Sequence, residues 1–167
     1  TILRLCHESG GLRILKGKSM LSEEIGLNDF LSENGLYPVE TDLGEYILQL
    51  RRDRPSHVVM PAIHLNAQQV GDAFRAGHAD LNPSRDLDHP DDLLAEARAK
   101  LRHKFLDSDV GITGANFLVA ETGSIVLVTN EGNGDLLHTL SGTHIVLAGI
   151  EKIVPTLSDA FALVRVL

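Results

Sequence analysis

Short apolar segments alternate with helical patterns along this chain, and the alternation restricts the fold more than any other feature of the sequence. The apolar segments are typical of strands and fall at residues 12–15, 36–41, 57–60 and 145–148. The helical patterns fall at residues 22–34, 43–50, 66–77 and 90–108, with a last helix from Ser158. Apolar strands without polar alternation are typical of a parallel sheet covered by helices on both faces. We therefore expect one domain over residues 1–167, a three-layer α/β/α fold with a mostly parallel sheet.

A late segment departs from this pattern. Apolar residues at 117–120 and 125–129 flank a tight turn at Gly123, and the arrangement predicts an antiparallel β-hairpin. In two of the helices we expect a buried stripe. The stripes consist of Ile25, Leu27, Phe30 and Leu31 in the first helix, and of Leu94, Ala97, Leu101 and Phe105 in the long one.

Composition excludes several classes of protein. The formal charge of -8 has the wrong sign for a surface that neutralises nucleic-acid phosphates. No apolar run approaches the roughly 18 residues of a membrane span. The single cysteine, Cys6, cannot form an internal disulfide or hold an iron-sulfur cluster, so we expect no cofactor in this segment and a cytoplasmic location. The chain starts without Met and ends in an apolar run, and we expect it to be part of a longer polypeptide.

The turn after the first strand is one candidate binding site. Lys16, Gly17, Lys18 and Ser19 combine two ammonium groups with the start of a helix, which suits a carboxylate or a phosphate. The nucleotide-binding P-loop pattern fails here, because Leu12 stands where that pattern needs glycine. The alternative is a plain turn between two solvated lysines.

The second candidate site is the glycine-rich stretch from residue 109 to residue 134. Its glycines allow a close approach of ligand or backbone, and Glu121 and Glu131 are its carboxylates inside the strand region. If Glu121 were buried at the hairpin tip, its pKa would be raised and it could transfer protons. The alternative is that Glu121 is an exposed turn residue.

No metal site is predicted. The eight histidines form no HExxH or HxH motif, although His64 and His144 stand where loops of a site would lie. We expect both to be core or capping residues. The cluster of Glu40, Asp42 and Glu45 could bind a cation, but a solvated acidic turn explains it equally well.

Several ordered blocks of the sequence resemble the lactate-utilization (LUD) domain family. The blocks are KSM at 18–20, SEEIGLN at 22–28, ETDLGEYI at 40–47, PSH at 55–57, PAIH at 61–64, VGITGAN at 110–116, AETGS at 120–124, TNEGNG at 129–134 and GIEK at 149–152. The resemblance implies the sheet of ribose-5-phosphate isomerase, glucosamine-6-phosphate deaminase and CoA-transferases. It also implies a subunit of an iron-sulfur complex that oxidises L-lactate to pyruvate, with the clusters in a cysteine-rich region absent from this chain.

Related sugar-phosphate isomerases often carry aspartate where this sequence has Asn116, and an amide cannot serve as a base. This difference weakens the hypothesis of an isomerase and leaves Glu121 as the catalytic candidate. From loop position and chemistry we expect a ligand site for a small carboxylate such as lactate or pyruvate. Its residues are Lys18, Ser19, Gly114, Asn116, Thr122, Gly123, Asn130, Glu131, Gly132 and Asn133.

Three functions stay open at this point. The first is a LUD domain that binds a small carboxylate or other lactate-utilization subunits. The second is a stand-alone CoA-transferase-like or isomerase-like enzyme that works through Glu121. The third is an interaction module without a small ligand.

Overall fold

A computed structural model describes residues 1–57, 59–82 and 84–167 of the protein. Its first half is mainly helical, with two short strands. In chain order these elements are α1 (Ile2–Glu8), β1 (Ile14–Lys16), α2 (Met20–Glu24), α3 (Leu27–Glu33), β2 (Val39–Glu40), α4 (Leu43–Arg51), α5 (Ala67–Gly77) and α6 (Pro90–Leu106). The second half holds β3 (Val110–Thr113), β4 (Phe117–Val119), β5 (Ser124–Val126), α7 (Asn133–Leu140), β6 (Thr143–Val146), a 3-10 turn (Ile150–Lys152), β7 (Ile153–Val154) and α8 (Leu157–Val164).

Four strands form a parallel sheet in the order β2, β1, β3, β6. Leu15 pairs with Val39 on one side and with Gly111 on the other, and Gly111 pairs in turn with His144. A second sheet has the order β5, β4, β7, with β4 antiparallel to β5 and parallel to β7. The predictions of a mostly parallel sheet and a late hairpin are therefore confirmed.

Helices cover the parallel sheet on both faces. Ile14 and its neighbour Leu15 point to opposite faces, as successive strand residues must, and each enters a different apolar core. The core on one side is formed by α1, α3 and the sheet, with Cys6, Leu27 and Leu31 buried in it. The core on the other side is formed by α4, α5, α6 and α7. This is the predicted three-layer α/β/α arrangement.

Helix α7 lies directly on strand β3, and no sequence pattern predicted this helix. Gly111 makes the close approach possible, because a Cβ atom there would lie 2.5 Å from the carbonyl oxygen of Leu137. Leu137 itself is fully buried. Helix α7 therefore has its place because β3 presents hydrogen rather than a side chain at this point.

The helix predicted at residues 22–34 is divided in two. Gly26 has a φ of 60°, in the left-handed region that glycine tolerates, and it separates α2 from α3. The turn changes the direction of the helix axis, so Ile25 and Phe30 are exposed while Leu27 and Leu31 are buried. Half of the predicted stripe was wrong for this reason.

Two predicted strands differ from the structure. The segment at residues 36–41 contributes only the two residues of β2 to the sheet. Within the segment at 57–60, Val58 lies outside the described residues, and His57, Val59 and Met60 adopt bends instead of a strand. The backbone N–H groups of Val59 and Met60 donate to the imidazole Nδ1 of His57, each at 3.1 Å, instead of to a neighbouring strand.

Other local signals are confirmed. Asn66 and Gln69 form a reciprocal capping box at the start of α5, and Pro90 is the first residue of α6. Gly123 turns the hairpin with a φ of 67°. In the long helix Ala97, Leu101 and Phe105 are buried as predicted, whereas Leu94 is 39% exposed. Among the described residues, no helix combines the length and the apolar character that crossing a bilayer requires.

Candidate functional site

A cavity of about 610 Å³ lies at the carboxyl ends of the parallel strands. Every strand of that sheet contributes the residues that follow it, which is the usual place for ligands in an open α/β sheet. The lining residues are Gly17 to Leu21 and Glu24 after β1, Asp42 after β2, Thr113 to Asn116 at the end of β3, Leu127 to Glu131 after β5, Asn133 and Gly134 in α7, Leu147 to Gly149 after β6, and Glu151 and Lys152 in the 3-10 turn.

Lys18 and Ser19, two of the predicted site residues, lie in the loop after β1 and line the cavity. The ammonium group of Lys18 donates to the carbonyl oxygen of Val59 over 2.6 Å, which holds it at the rim of the cavity. The Ser19 hydroxyl accepts from the backbone N–H of Ser22 at 3.4 Å and thereby caps α2. The hydroxyl still has its own hydrogen and a second lone pair for another partner.

Lys16 does not belong to the cavity, and its expected role in an anion site was wrong. Its side chain is 1% exposed, and its ammonium group lies 2.9 Å from the Glu40 carboxylate and 3.2 Å from that of Glu23. It also donates to the hydroxyl of Ser22 at 2.9 Å. The lysine is the last residue of β1, so its side chain enters the protein interior instead of the loop.

The acidic cluster predicted at Glu40, Asp42 and Glu45 is divided between three roles. Glu40 pairs with Lys16, and the Asp42 carboxylate caps α4 by accepting from two backbone N–H groups. Glu45 is buried, and loss of water around it raises the pKa of its carboxyl group. Nowhere in the described ranges do three or more His, Cys, Asp or Glu side chains form a group able to hold a metal ion.

The turn between β3 and β4 provides Gly114 and Asn116. The side-chain oxygen of Asn116 accepts from the backbone N–H of Val128 at 2.8 Å, which ties this turn to the segment after β5. Its amide nitrogen is the group left to meet a ligand. A Cβ atom at Gly114 would stand 3.5 Å from the Ser19 hydroxyl, so the glycine keeps this wall open beside the serine.

Asn130, Glu131 and Asn133 form a further part of the cavity wall. Gly132 has a φ of 75° and turns the chain into α7, which begins at Asn133. The amide of Asn133 donates to the Thr41 hydroxyl at 3.4 Å. Partial loss of water and the neighbouring Asp42 carboxylate raise the pKa of Glu131, although the side chain is largely exposed. Glu131 is therefore the carboxylate of the predicted set that lines the cavity.

Four predicted site residues do not line the cavity, namely Gly132, which lies between Glu131 and Asn133, and the three residues of the hairpin tip. Glu121, Thr122 and Gly123 form the exposed tip of the hairpin. The Glu121 carboxylate accepts from the backbone N–H of Leu157 at 2.7 Å and so holds the start of α8. Glu121 is exposed, not buried as the hypothesis required, and a catalytic role for this residue stays a prediction.

Four charged residues of the cavity were not among the predicted ligand residues. They are Glu24, Asp42, Glu151 and Lys152. Together with Lys18 and Glu131 they give two ammonium groups against four carboxylates around the opening. The signal that could have found Glu151 and Lys152 is their position shortly after the last strand of the parallel sheet, at the same edge as the other loops.

The two histidines considered as site residues lie elsewhere. His144 bonds to the Thr113 hydroxyl at 2.8 Å, and burial lowers the pKa of its imidazole. His64 is exposed and its Nδ1 lies 2.7 Å from the Ser56 hydroxyl. Neither residue lines the cavity.

Comparison with known proteins shows the family to which this chain belongs. The model of the LUD domain matches residues 1–167. This chain belongs to the LUD domain family. No solved structure matches the LUD domain described above.

Several curated relatives are similar to this LUD domain over nearly all of its length. Lactate utilization protein B of Bacillus subtilis (strain 168) is 49% identical over 162 residues, which cover 96% of this chain and 33% of the relative. Lactate utilization protein B of Oceanobacillus iheyensis is 50% identical over 155 residues, with 93% and 32% covered. The uncharacterized electron transport protein YkgF of Escherichia coli (strain K12) is 45% identical over 166 residues, with 99% and 34% covered. The LUD domain thus spans about a third of the length of the relatives it matches.

Proposed function

We propose that this LUD domain is part of a lactate utilization protein B-like subunit of an iron-sulfur complex that oxidises L-lactate to pyruvate. We further propose that its cavity binds a small carboxylate such as lactate or pyruvate. The observation that carries the proposal is the cavity at the carboxyl ends of all four parallel strands, with Lys18 and Ser19 in its first loop. The names of the relatives, which are lactate utilization proteins, support the choice of ligand.

The lining chemistry suits a small hydroxy or keto acid. Lys18 would hold the carboxylate, and the amides of Asn116, Asn130 and Asn133 would bond to its hydroxyl or carbonyl oxygen. Ser19 would provide a further contact at the loop after β1. Glu131 is the group placed to exchange a proton with a bound ligand, since it lines the same cavity and has a raised pKa.

The charges around the cavity disfavour anions that carry more than one negative charge. Four carboxylates and two ammonium groups leave a net negative rim, which repels phosphorylated ligands more strongly than a single carboxylate. This argues against the alternative of a sugar-phosphate isomerase or a CoA-transferase, whose substrates carry phosphates. Glu121, the base assumed by that alternative, lies outside the cavity.

Electron transfer would belong to other parts of the assembly. Cys6 is the chain's sole cysteine and is buried in the core, so this chain does not have the thiolates that an iron-sulfur cluster needs. We propose that the clusters are held by the remaining two thirds of the longer polypeptide and that other lactate-utilization subunits are its partners. A cytoplasmic location agrees with a chain that has no disulfide to protect.

Calorimetric titration of L-lactate, pyruvate and 3-phosphoglycerate into the full-length protein tests the proposal. We expect the two monocarboxylates to bind and 3-phosphoglycerate to bind more weakly, with the difference shrinking as salt screens the rim. In the Lys18→Met variant the affinity for lactate should fall about tenfold, because one charge-assisted hydrogen bond is lost.

Lys104→Met is the matched control for that titration. Lys104 is exposed on α6 and does not line the cavity, so its loss should leave lactate binding unchanged. Thermal unfolding of both variants checks that they are folded. Absence of lactate and pyruvate binding, or equal affinity in Lys18→Met and the parent protein, contradicts the ligand assignment.

A further inference from the structure

A second concave surface lies between helices α6 and α7 and has a different character. It is a groove of about 860 Å³ with an apolar lining. Leu101 lies buried at its base, and its walls carry Leu94, Leu136 and Leu140, which are 39%, 41% and 39% exposed. Asn130, Glu131 and Asn133 line both this groove and the cavity described above, so the two surfaces are neighbours. Exposed leucines grouped in this way mark an interaction surface more often than isolated ones do.

One wall of the groove is basic. Arg98 and Arg102 are exposed, line the groove and stand one helical turn apart on α6. Across residues 1–57, 59–82 and 84–167, neither guanidinium takes part in an ion pair with a carboxylate of this chain. Glu131 is the acidic residue of the groove lining, and the two arginines beside the leucines are free to pair with carboxylates from outside the chain.

We infer that this groove binds an amphipathic helix of a partner polypeptide whose apolar face is flanked by carboxylates. The leucines would receive the apolar face, and Arg98 and Arg102 would pair with the carboxylates along one side. The groove follows α6, whose 17 residues extend about 25 Å, enough for several turns of a docked helix. The inference rests on the proposed function, because it assumes that the domain works in an assembly. It adds the surface through which a partner would bind.

Charge favours such a partner over a second copy of this chain. A two-fold contact through the groove would place two copies of the same basic wall in one interface, so that like charges would face each other. An acidic helix removes this conflict, because it brings the carboxylates that the arginines lack.

Fluorescence anisotropy with a designed peptide tests the inference on the full-length protein. The probe is a labelled helical peptide of about 18 residues with leucines at i, i+4, i+7 and i+11 and glutamates beside them. We expect it to bind, and the double variant Arg98→Glu with Arg102→Glu should weaken binding at least tenfold. Leu136→Asp should weaken it as well, because it places a charge on the apolar wall.

The matched control is the double variant Lys104→Glu with Arg165→Glu. It changes the net charge by the same amount at two exposed residues that do not line the groove, so it should bind the peptide like the parent protein. A second probe has lysines in place of the glutamates and should not bind.

Three results overturn the inference. The first is that the acidic peptide binds the Arg98→Glu, Arg102→Glu variant as tightly as the parent protein. The second is that the lysine probe binds the parent protein as tightly as the acidic peptide does. The third is self-association in sedimentation that Leu136→Asp abolishes. Calorimetry with lactate on the same variants separates the two proposals. If the parent protein binds the peptide but not lactate, only the ligand assignment is wrong. If it binds lactate but not the peptide, only the docking surface is wrong.

Discussion

Lys16 and Lys18 are two positions apart, and the structure gives them opposite surroundings. The ammonium group of Lys16 is enclosed by Glu40, Glu23 and Ser22, whereas that of Lys18 reaches the rim of the cavity. A buried ion pair contributes little when complete, but leaving one of its charges alone in the interior is costly. Lys16 therefore has a structural role, and Lys18 is the one lysine of this loop that can meet a ligand.

Replacing Lys16 by methionine tests the structural role. The change leaves the Glu40 carboxylate buried without its cation, so we expect the free energy of unfolding to fall by about 3 to 5 kcal/mol. Urea denaturation measures the loss. Lys104→Met, on the surface of α6, should change the stability by less than about 0.5 kcal/mol.

Removing both charges should be milder than removing one. In the double variant Lys16→Met with Glu40→Leu no buried charge is left alone, because Glu23, the other carboxylate beside Lys16, is exposed to water, and part of the stability should return. If the double variant were as unstable as Lys16→Met alone, the unpaired carboxylate would not be the cause of the loss.

At the scale of elements, the contact between β3 and α7 positions one wall of the cavity. Gly111 lies under the backbone of α7, and the start of that helix carries Asn133 and Gly134 into the cavity lining. Ser108 also approaches α7 at its far end, where its hydroxyl lies 2.8 Å from that of Ser141. A substitution at Gly111 should therefore lower the free energy of unfolding and also displace this wall of the cavity.

The substitution Gly111→Ala should push α7 away from the sheet. The new methyl group would meet the Leu137 carbonyl at 2.5 Å, and overpacking of this kind costs about 1 to 3 kcal/mol. Urea denaturation measures the loss of stability, and lactate titration measures how far the displaced wall of the cavity weakens lactate binding.

Gly142→Ala is the matched control for this contact. A Cβ atom at Gly142 has ordinary contact distance, 3.5 Å from the Asp109 carbonyl oxygen, so the alanine should be accepted. A Gly111→Ala protein as stable as the Gly142→Ala protein would show that the close approach does not limit the packing of α7.

At the scale of the whole molecule, a buried polar chain joins three helices on one side of the sheet. The Tyr46 hydroxyl on α4 bonds to Nε2 of His78 at 2.8 Å, and Nδ1 of His78 bonds to the Glu96 carboxylate of α6 at 2.9 Å. His78 ends α5 and stacks on Phe74, with ring centres 4.9 Å apart. Burial raises the pKa of Tyr46 to about 12, so the tyrosine stays neutral.

The buried histidine makes the stability of the chain depend on pH. Burial lowers the pKa of His78 below its ordinary value of 6.5, against the opposing effect of Glu96. The neutral form is favoured in the folded state, so its stabilising contribution is complete above pH 6.5 and is lost as pH falls through the lower folded-state pKa.

We expect the free energy of unfolding to fall between about pH 7.5 and about pH 5.5, and to fall less in the His78→Gln variant. Urea denaturation at both pH values measures the two decreases. The variant His89→Gln, at an exposed position before α6, should retain the full decrease of the parent. An equal decrease in His78→Gln and the parent would assign the pH dependence to other groups.

The sequence by itself determined the class of fold, the late hairpin and the starts of α4, α5, α6 and α8. These features depend on local patterns, such as the capping residue Asn66, the first-turn Pro90 and the turn glycine Gly123. It also placed Lys18, Ser19, Asn130 and Glu131 in loops, and these loops meet at one edge of the sheet. Residues that follow parallel strands converge there whatever their distance along the chain.

Only the tertiary structure decided the surroundings of single side chains. Lys16 is buried because β2 brings Glu40 beside it, and Glu121 faces α8 because the start of that helix is folded against the hairpin tip. Helix α7 has its place because Gly111 lies beneath it. Each of these outcomes depends on partners far apart in the chain, and local periodicity contains no information about which distant residue will be the neighbour.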